Sequence, residues 1–526
     1  MIEIEKIAFE ETKRFSKTAL DYLNQDEKLK PYYSYETNIE AFSKVIEDRK
    51  QKAVNRSVLV EELTNRYQEL NLQVPLNVEI LRKKNSFTIT TGHQLGILTG
   101  PAYFIYKIAS VINLSRRLKE QYPKNDYVPV FWMASEDHDY EEIRSTNIYG
   151  KKLDWNTNQK GAVGRFHLEE FKNTLEDLKG VLGERNESFY NEISEIYSTS
   201  NNLGEATFKL VNHLFKDENL VIIDADNPNL KRLFIPVLKQ DIIENSAYKK
   251  VMKTNETLAA NYKTQVTPRP INVFYLKDGL RERIIEESGV FKIKNTDISF
   301  SEKEILEELK DNPGRFSPNV VLRPMFQETI LPNLCYVGGG GELAYWMQLK
   351  SAFESCNVFY PMLLIRSSVM WIDKGSDKRI SKLKLELKEL FENKDELVKK
   401  WVNRNSNETL HLTSFKNEFE NLFKSLESKV EVIDKSILGQ IKAEQSKSDK
   451  FISGLEKRLV KAEKQKLENE VNQLSKLLDK FFPNAGLQER TENFSSFYIS
   501  NENWIKSLIE QLNPLERKFF VFTEKN

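Results

Sequence analysis

The sequence predicts an α/β fold, with an open and doubly wound parallel sheet that carries inserted segments, followed by a long α-helical region. Two observations support this prediction. Up to about residue 375, apolar runs without polar alternation recur between helical stretches, which is typical of strands covered on both faces. Beyond that point, no proline occurs from Lys374 to Phe482, and Lys, Glu and Leu are frequent, as in long exposed helices.

Five strands are predicted in the first part of the chain. The run at 86–90 is followed by a loop, a helix at 102–118 and a buried strand at 127–134, which together form a βαβ unit. A third strand at 219–224 leads into a helix that starts near Pro228, a favoured first helical residue. Two further strands are expected near 334–337, ahead of four glycines and another helix, and at 358–365.

Composition divides the chain into three parts. Residues 1–375 are expected to form the core, with a helical insertion at about 151–212 and another insertion at about 279–313. Residues 376–482 are expected to form a helical coiled-coil arm. Residues 483–526 are expected to pack back on the core.

Apolar residues in the arm follow the 3,4 spacing of a coiled coil at 430–437, 452–459 and 467–481. One helix over 430–481 would be about 75 Å long, so it would have to pair with another helix or another subunit. A polar gap at 440–450 argues against one continuous heptad register. The alternative is a two-helix hairpin with one arm before and one after His411. The pattern fits an internal hairpin and a dimerisation arm equally well.

Charge and length narrow the class of protein. The chain has 526 residues, and its 78 Lys and Arg residues balance its 78 Asp and Glu residues. This balance argues against binding to nucleic acid or an anionic membrane, since both favour an excess of basic charge. We find no uninterrupted apolar run long enough to span a membrane and no apolar core of a secretion signal. Two cysteines, Cys335 and Cys356, cannot form a disulfide framework. We therefore expect a cytoplasmic protein.

Three polar clusters follow predicted strands, where open α/β sheets bind their ligands. The first is the loop Thr91-Gly92-His93-Gln94. Its glycine permits close approach of the backbone to a ligand, and His93 can bind a phosphate or act as an acid or base. The alternative is a turn whose histidine is simply solvated.

The second cluster is Ser135-Glu136-Asp137-His138-Asp139. Its three carboxylates repel one another unless a metal ion, a substrate amine or an arginine neutralises them. Adjacent residues cannot all face one ion, so we assign no metal ligands. Asp137 or His138 is expected to act on the substrate, whereas Asp139 can instead cap the following helix.

The third cluster consists of the glycines at 338–341 and Glu342, which open a helix. Backbone N–H groups in such a segment can meet an anion, and Arg323 can add a positive charge nearby. The segment is neither a P-loop, because no Lys-Ser or Lys-Thr follows, nor a dinucleotide fingerprint. The alternative is a flexible turn.

Four segments together carry a family resemblance: 91–106 (TGHQLGILTGPAYFIY), 128–139 (VPVFWMASEDHD), 317–348 (SPNVVLRPMFQETILPNLCYVGGGGELAYWMQ) and 487–490 (LQER). In this order, they resemble the bacillithiol-biosynthesis cysteine-adding enzymes, a family of cysteine ligases. The resemblance extends over essentially the whole chain. It implies a Rossmann-like core similar to class I nucleotidyltransferases and a homodimer formed through the coiled coil. It also implies the last step of bacillithiol synthesis, in which the cysteine carboxyl is joined to the amine of glucosaminyl-malate.

By this resemblance, the three clusters line one pocket. Catalytic roles are expected for His93, Glu136, Asp137 and His138. Substrate binding is expected for Thr91, Gly92, Gln94, Lys107, Asp139, Arg323, Gly338, Gly339, Gly340, Gly341, Glu342 and Tyr345. Within that set, Lys107 or Arg323 would pair with the malate carboxylates. A second, nucleotide-holding site between core and tail is implied for Gln488, Glu489, Arg490 and Asn493.

Two departures leave the activation chemistry open. Many members of the family carry Gln where this chain has His93, which weakens an indispensable acid–base role for that residue. No lysine-rich KMSKS-type loop is found, so the cofactor is unassigned, with ATP or ADP as the candidates. Two other functions also fit: a nucleotidyltransferase acting on another small acid or amine, and a non-catalytic scaffold that holds a metabolite while its helical arm recruits a partner.

Overall fold

The computed structural model describes residues 2–406 and 412–525. Its strands, in chain order, are β1 (Ile2–Ala8), β2 (Ser86–His93), β3 (Asp126–Met133), β4 (Ser145–Ile148), β5 (Lys151–Asp154), β6 (Val221–Asp224), β7 (Val273–Lys277), β8 (Leu280–Glu287), β9 (Val290–Ile293), β10 (Ser299–Ser301), β11 (Phe316–Pro318), β12 (Asn333–Gly338), β13 (Met362–Ile365), β14 (Ser368–Ile372) and β15 (Lys518–Glu524).

The helices, in chain order, are α1 (Phe9–Thr12), α2 (Lys17–Leu23), α3 (Phe42–Lys50), α4 (Arg56–Glu69), α5 (Leu76–Ile80), α6 (Tyr103–Gln121), α7 (Tyr140–Ile143), α8 (Phe171–Leu182), α9 (Glu187–Ser198), α10 (Leu203–Leu214), α11 (Pro228–Glu244), α12 (Ser246–Leu258), α13 (Glu302–Asp311), α14 (Arg323–Ile330), α15 (Gly340–Ser355), α16 (Lys374–Lys382), α17 (Lys394–Asn405), α18 (Thr413–Ile433), α19 (Leu438–Lys466), α20 (Glu468–Phe481), α21 (Ser495–Tyr498) and α22 (Trp504–Gln511).

The central sheet is parallel and has the strand order β13-β12-β2-β3-β6. The predicted doubly wound parallel sheet is thereby confirmed, and each of its strands coincides with a predicted one. The chain runs outward from β2 through β3 to β6, then returns to the other side of β2 as β12 and β13. The direction therefore switches between β2 and β12, and open sheets of this kind bind ligands beside such a switch point.

Both faces of the central sheet are covered, which explains the continuous apolar runs in its strands. On one face, Phe87 and Ile89 of β2 belong to an apolar cluster with Phe42 of α3 and Val111 of α6. The other face contributes Val128 and its neighbours to the main core. The predicted insertion at 151–212 is largely helical and holds α8, α9 and most of α10.

A second sheet is antiparallel, with the order β10-β9-β8-β7-β11. Three of its strands, β8, β9 and β10, lie in the predicted insertion at 279–313, for which the sequence indicated no strands, and α13 follows them there. Arg281 of β8 contacts His138, just beyond the end of β3, so this sheet stands over the carboxyl ends of the parallel strands. It is the element that turns an open sheet edge into a cavity.

A third sheet joins the two ends of the chain and was not predicted. β15 pairs antiparallel with β1 and parallel with β14. The C-terminal segment also packs on the core through α22, where the Ile509 carbonyl accepts a hydrogen bond of 2.7 Å from Asn113 of α6.

The arm is a helical hairpin rather than one continuous helix over 430–481. Asp434 has extended backbone angles and ends α18, and its side chain accepts a hydrogen bond from the Ser436 N–H. The chain then reverses direction into α19. An ion pair of 2.6 Å between Lys416 of α18 and Glu456 of α19 shows that the two helices lie side by side. Both arms of the hairpin therefore follow residue 411, whereas the sequence placed one before it; His411 itself lies outside the described residues.

Candidate active site

A cavity of about 840 Å³ opens at the carboxyl ends of β2, β3 and β12, beside the switch point of the central sheet. The loops after β2 and β3 and the first turn of α15 form its floor, and the antiparallel sheet with segment 267–274 forms the opposite wall. The structure thus brings parts of all three predicted clusters together. The predicted residues that line the cavity are Gly92, His93, Gln94, Lys107, Glu136, Asp137, His138, Arg323, Glu342 and Tyr345.

His93 is the last residue of β2 and packs among aromatic rings. Its ring centroid lies 5.0 Å from that of Tyr103 and 5.4 Å from that of Phe104. Burial, together with the nearby cation of Lys107, lowers the pKa of His93 to about 3. At neutral pH the ring is therefore uncharged, and it can offer one donor and one acceptor but no positive charge.

Lys107 and Glu342 form a buried ion pair that ties α6 to α15. The Lys107 side chain is 2% exposed, and its Nζ lies 2.6 Å from Oε1 of Glu342 and donates to the Gly92 carbonyl at 2.8 Å. The other oxygen of Glu342 accepts from the Tyr336 hydroxyl at 2.8 Å. Burial raises the pKa of Glu342, but Lys107 outweighs it and holds that pKa below its ordinary value. The charge of Lys107 is therefore balanced within the fold.

Asp137 lies in the loop after β3 and presents a carboxylate to the cavity. Its Oδ1 accepts from the backbone N–H groups of His138 at 2.7 Å and Asp139 at 3.3 Å, and its Oδ2 accepts from Gln94 at 2.7 Å. Burial raises the pKa of Asp137, but these hydrogen bonds and the charge of Arg281 together lower it below its ordinary value. With 31% of its side chain exposed, Asp137 is an ionised acceptor that a ligand can reach.

His138 faces Arg281, which came from the insertion and was not among the predicted site residues. Nδ1 of His138 contacts Nη1 of Arg281. A guanidinium can only donate, so Nδ1 accepts and the neutral ring carries its proton on Nε2. Burial and the charge of Arg281 lower the pKa of His138. The ring is thus an N–H donor at neutral pH, whereas the adjacent Asp137 is the acceptor.

The two outer carboxylates of the second cluster have other partners. Glu136 is buried and ion-paired with Lys231 of α11, and burial raises the pKa of Glu136 to about 7. Asp139 caps α7, where its Oδ1 accepts from the N–H of Glu142 at 3.3 Å. The capping alternative considered for Asp139 is the one that the structure contains.

The glycine run is tightly packed at two of its positions. A Cβ atom on Gly338 would lie 2.9 Å from the Tyr336 ring, and one on Gly340 would lie 3.0 Å from Ala19. The N–H of Gly339 donates to Glu342 at 3.2 Å. Of this segment, Glu342 lines the cavity, whereas the four predicted glycines do not. Thr91, from the first cluster, does not line the cavity either.

Arg323 begins α14 and is held beneath the cavity by Gln327, whose Oε1 accepts from Nη1 at 3.1 Å. Its guanidinium lies 5.6 Å from the Tyr336 ring and 5.9 Å from the Trp346 ring. The buried Nη2 forms no hydrogen bond with another side chain or backbone group in the described ranges. Tyr345 also interacts with this guanidinium, and Nη2 is the nitrogen from which Arg323 can donate to a ligand.

Two family models together span the chain. "Bacillithiol biosynthesis BshC, N-terminal Rossmann-like domain" matches residues 2–367, and "Bacillithiol biosynthesis BshC, C-terminal coiled-coil domain" matches residues 369–524. The chain belongs to the BshC family. This confirms the resemblance read from the sequence and the Rossmann-like character of the core.

Relatives of the BshC family align over nearly their full length. A Flavobacterium johnsoniae protein is 43% identical over 524 residues, which is 98% of this chain and 99% of the relative. A Christiangramia forsetii protein is 42% identical over 98% of both chains, and a Bacillus anthracis protein is 29% identical over 90% and 91%. Each of these proteins bears the name "Putative cysteine ligase BshC".

The second site implied by the BshC resemblance lies where the C-terminal segment meets the core. Glu489 forms a buried ion pair with Arg366 at 2.7 Å, and Gln488 exchanges two hydrogen bonds with the backbone of Trp371. Asn493 donates to the carbonyls of Leu98 and Gly100. These three side chains are occupied in holding the segment down. Arg490, in contrast, is exposed, with its guanidinium 5.9 Å from the Tyr103 ring.

The cavity wall contributed by the antiparallel sheet was missed by sequence reasoning. It carries Arg281, Arg283, Lys294 and, from the preceding segment, Arg269. The signal available was the alternation of charge in Arg281-Glu282-Arg283, which puts two arginines on one face of a strand. It could not be used without knowing that the insertion is a sheet.

Among residues 2–406 and 412–525, no three or more His, Cys, Asp or Glu side chains are grouped so as to hold a metal ion. No helix in the described parts of the chain is long and apolar enough to cross a membrane.

Proposed function

We propose that this protein joins the carboxyl group of cysteine to the amine of glucosaminyl-malate, the last step of bacillithiol synthesis. Family membership supports the pathway, and the names of the relatives support the reaction class. The observation that carries the proposal is the pairing of Asp137, a partly buried ionised acceptor, with His138, a neutral donor, inside a cavity of about 840 Å³. A cavity of this size accommodates two small polar substrates.

The ionised Asp137 suits the amine of the acceptor. An amine reaches the cavity as an ammonium ion, which the Asp137 carboxylate attracts and orients. The ammonium ion releases one proton to water before it attacks, because only the neutral amine has a lone pair. As the new C–N bond forms, the nitrogen becomes more acidic and its second proton passes to Asp137. General-base catalysis of this kind contributes about 10²–10⁴ in rate. His138, through its Nε2–H, can stabilise the oxyanion that develops on the attacked carbonyl.

The cysteine carboxylate must be activated, because a free carboxylate is a poor acyl donor. We propose ATP as the donor: one carboxylate oxygen bonds to a phosphorus atom, and either ADP or pyrophosphate leaves. The amine then displaces phosphate or AMP from the acyl carbon. Arg323, with its free Nη2, is our candidate for binding the transferred group. Nucleotide binding by Arg490 at the exposed edge of the C-terminal segment also stays a prediction.

The proposal is tested by incubating the purified protein with cysteine and glucosaminyl-malate, with and without ATP. We expect a thiol product heavier than glucosaminyl-malate by one cysteine minus one water, measured by mass spectrometry, together with phosphate or pyrophosphate. Release of pyrophosphate without consumption of cysteine would favour a nucleotidyltransferase of another substrate. Binding of ligand without any turnover would favour the non-catalytic scaffold.

We propose in addition that the arm forms a homodimer. Large apolar side chains repeat along α18 with 4,3,4 and 7 spacing and are exposed in the single chain, and this repeat is that of a coiled-coil seam. Because α19 already covers another face of α18, the stripe is open to a helix of a second copy. Its members are Phe415, Phe419, Leu422, Leu426 and Ile433.

A further inference from the structure

The cavity wall opposite Asp137 carries positive charge that the fold does not neutralise. Arg283 and Lys294 of the antiparallel sheet and Arg269 of the preceding segment all line the cavity. Of the ion pairs and side-chain hydrogen bonds between residues 2–406 and 412–525, none involves the charged end of these three side chains. We refer to Arg269, Arg283 and Lys294 as the basic wall.

Two buried lysines near the other clusters differ from the cations of the basic wall because each is paired with a carboxylate of the cavity lining. Lys107 is paired with Glu342, and Lys231 is paired with Glu136. These two lysines therefore gain little from an added anion, whereas each cation of the basic wall can bind one. An acidic residue at the rim, Glu282, is held by Asn295 at 3.3 Å.

The geometry of the wall fits a ligand with two acidic groups. Arg281 and Arg283 are two residues apart on β8, so their side chains leave the same face about 7 Å from each other. The backbone N–H of Lys294 donates to the Arg283 carbonyl at 2.9 Å, which puts these two residues side by side. The first arginine of the row, Arg281, contacts His138. The row of positive charge therefore begins beside His138, at Arg281, and continues away from it to Arg283 and Lys294.

We propose that the basic wall binds the dicarboxylate end of the acceptor, the malate unit of glucosaminyl-malate. The amine of the sugar then points to Asp137, and the aglycone end lies along Arg283 and Lys294. This assigns the malate to the antiparallel sheet instead of to Lys107, whose charge Glu342 already balances. The inference rests on the proposed function for the identity of the acceptor, but its physical content is a dicarboxylate subsite.

The test is calorimetric titration of the full-length protein with glucosaminyl-malate, with L-malate and with glucosamine. The double variant Arg283→Gln/Lys294→Gln is expected to bind glucosaminyl-malate at least tenfold more weakly, since it loses one or two charge-assisted hydrogen bonds. Binding of glucosamine, which lacks the carboxylates, should not change. Arg283→Lys, which keeps the charge, should retain most of the affinity. The matched control is Lys277→Gln, because Lys277 is an exposed lysine of the same sheet outside the cavity lining.

The outcomes separate this inference from the proposed reaction. If the protein makes no amide product but L-malate binding is lost in the double variant, the subsite stands and the reaction falls. If the double variant is as folded as the unchanged protein and binds glucosaminyl-malate equally well, the basic wall is not the subsite, whatever the reaction. A loss of affinity that Lys277→Gln shows to the same extent would also overturn the assignment, since it would mean a general effect of surface charge.

Discussion

Asp137 is the residue on which the proposed chemistry depends most directly. Substitution by Asn keeps the size of the side chain and an Oδ1 acceptor for the backbone N–H groups, and it removes the negative charge. The new amide NH2 group replaces the oxygen that accepts from Gln94, so the Gln94 amide has to turn over to present its own oxygen. We expect the Asp137→Asn variant to lose cysteine addition by about 10²–10⁴ in kcat while its thermal unfolding stays nearly unchanged. The rate is measured by mass spectrometry of the thiol product.

The control for this substitution is Glu141→Gln, which removes an exposed carboxylate four residues further along. It should leave the rate within a factor of about two, since exposed ion pairs contribute little. A near-normal thiol yield from Asp137→Asn would remove Asp137 from the mechanism.

Burial of His93 predicts how the free energy of unfolding changes at acidic pH. Its pKa is lowered to about 3 in the folded protein, whereas an unfolded chain has a histidine pKa near 6.5. Between these values the unfolded state binds more protons, so the stabilisation present above about pH 6.5 is lost as the pH falls. From pH 7 to pH 5, the unchanged protein should lose about 1–2 kcal/mol more unfolding free energy than His93→Gln, measured by urea titration at each pH. Exposed His167→Gln, the control, should follow the unchanged protein; equal losses in all three would contradict the burial argument.

At this scale the sequence revealed residue types but not their partners. It predicted that His93, Asp137 and His138 would share a cleft because each follows a strand, and the three line one cavity. It could not reveal that Lys107 is balanced by Glu342, because the two are far apart in the chain. Nor could it reveal Arg281, whose contact with His138 depends on the position of an inserted sheet.

At the scale of elements, the C-terminal segment is fastened to the core by the buried pair of Glu489 and Arg366. Removal of one member of such a pair leaves an uncompensated buried charge and costs about 3–5 kcal/mol. We therefore expect Glu489→Ala to lower the unfolding free energy by roughly that amount, measured by urea denaturation. Replacing both partners, in Arg366→Met/Glu489→Leu, should restore part of the loss.

The neighbouring Arg490 provides the matched comparison. It is exposed, so Arg490→Gln should change the unfolding free energy by no more than about 0.5 kcal/mol. If the segment holds a nucleotide as predicted, the same variant should bind ADP more weakly in a calorimetric titration. Unchanged ADP affinity would limit the segment to the structural role that Gln488, Glu489 and Asn493 already have.

The elements that the sequence predicted well are those whose signal is local. The parallel strands are buried on both faces, so each is a continuous apolar run. The sheet of β1, β14 and β15 was missed because its strands come from distant parts of the chain. The antiparallel sheet was missed because charged residues dominate β8, in which only Ile284 is fully buried.

At the scale of the whole molecule, the hairpin arm presents an apolar stripe along α18 that the single chain leaves exposed. Leu422 is 55% exposed and Phe415 53%, and contiguous apolar surface of this kind marks an interaction site. The stripe therefore supports our proposal of a dimerisation arm, which the sequence alone left equal with an internal hairpin. A purely internal hairpin would bury its seam against α19, whereas these residues lie on a different face of α18 from Lys416, which contacts α19.

The double variant Phe419→Glu/Leu422→Glu tests the dimer. Each substitution removes about 1.5–3 kcal/mol of hydrophobic stabilisation of the dimer, because a large apolar side chain is no longer buried in the seam. The new carboxylates also repel one another across the two-fold axis. We expect sedimentation to show a dimer for the unchanged protein and a monomer for the variant at micromolar concentration. Asn417→Glu adds a charge on an exposed part of α18 away from the stripe and should remain dimeric. The monomeric variant should still bind glucosaminyl-malate, because no residue of the stripe lines the cavity. If the unchanged protein is itself a monomer, the stripe is not the seam of a homodimer.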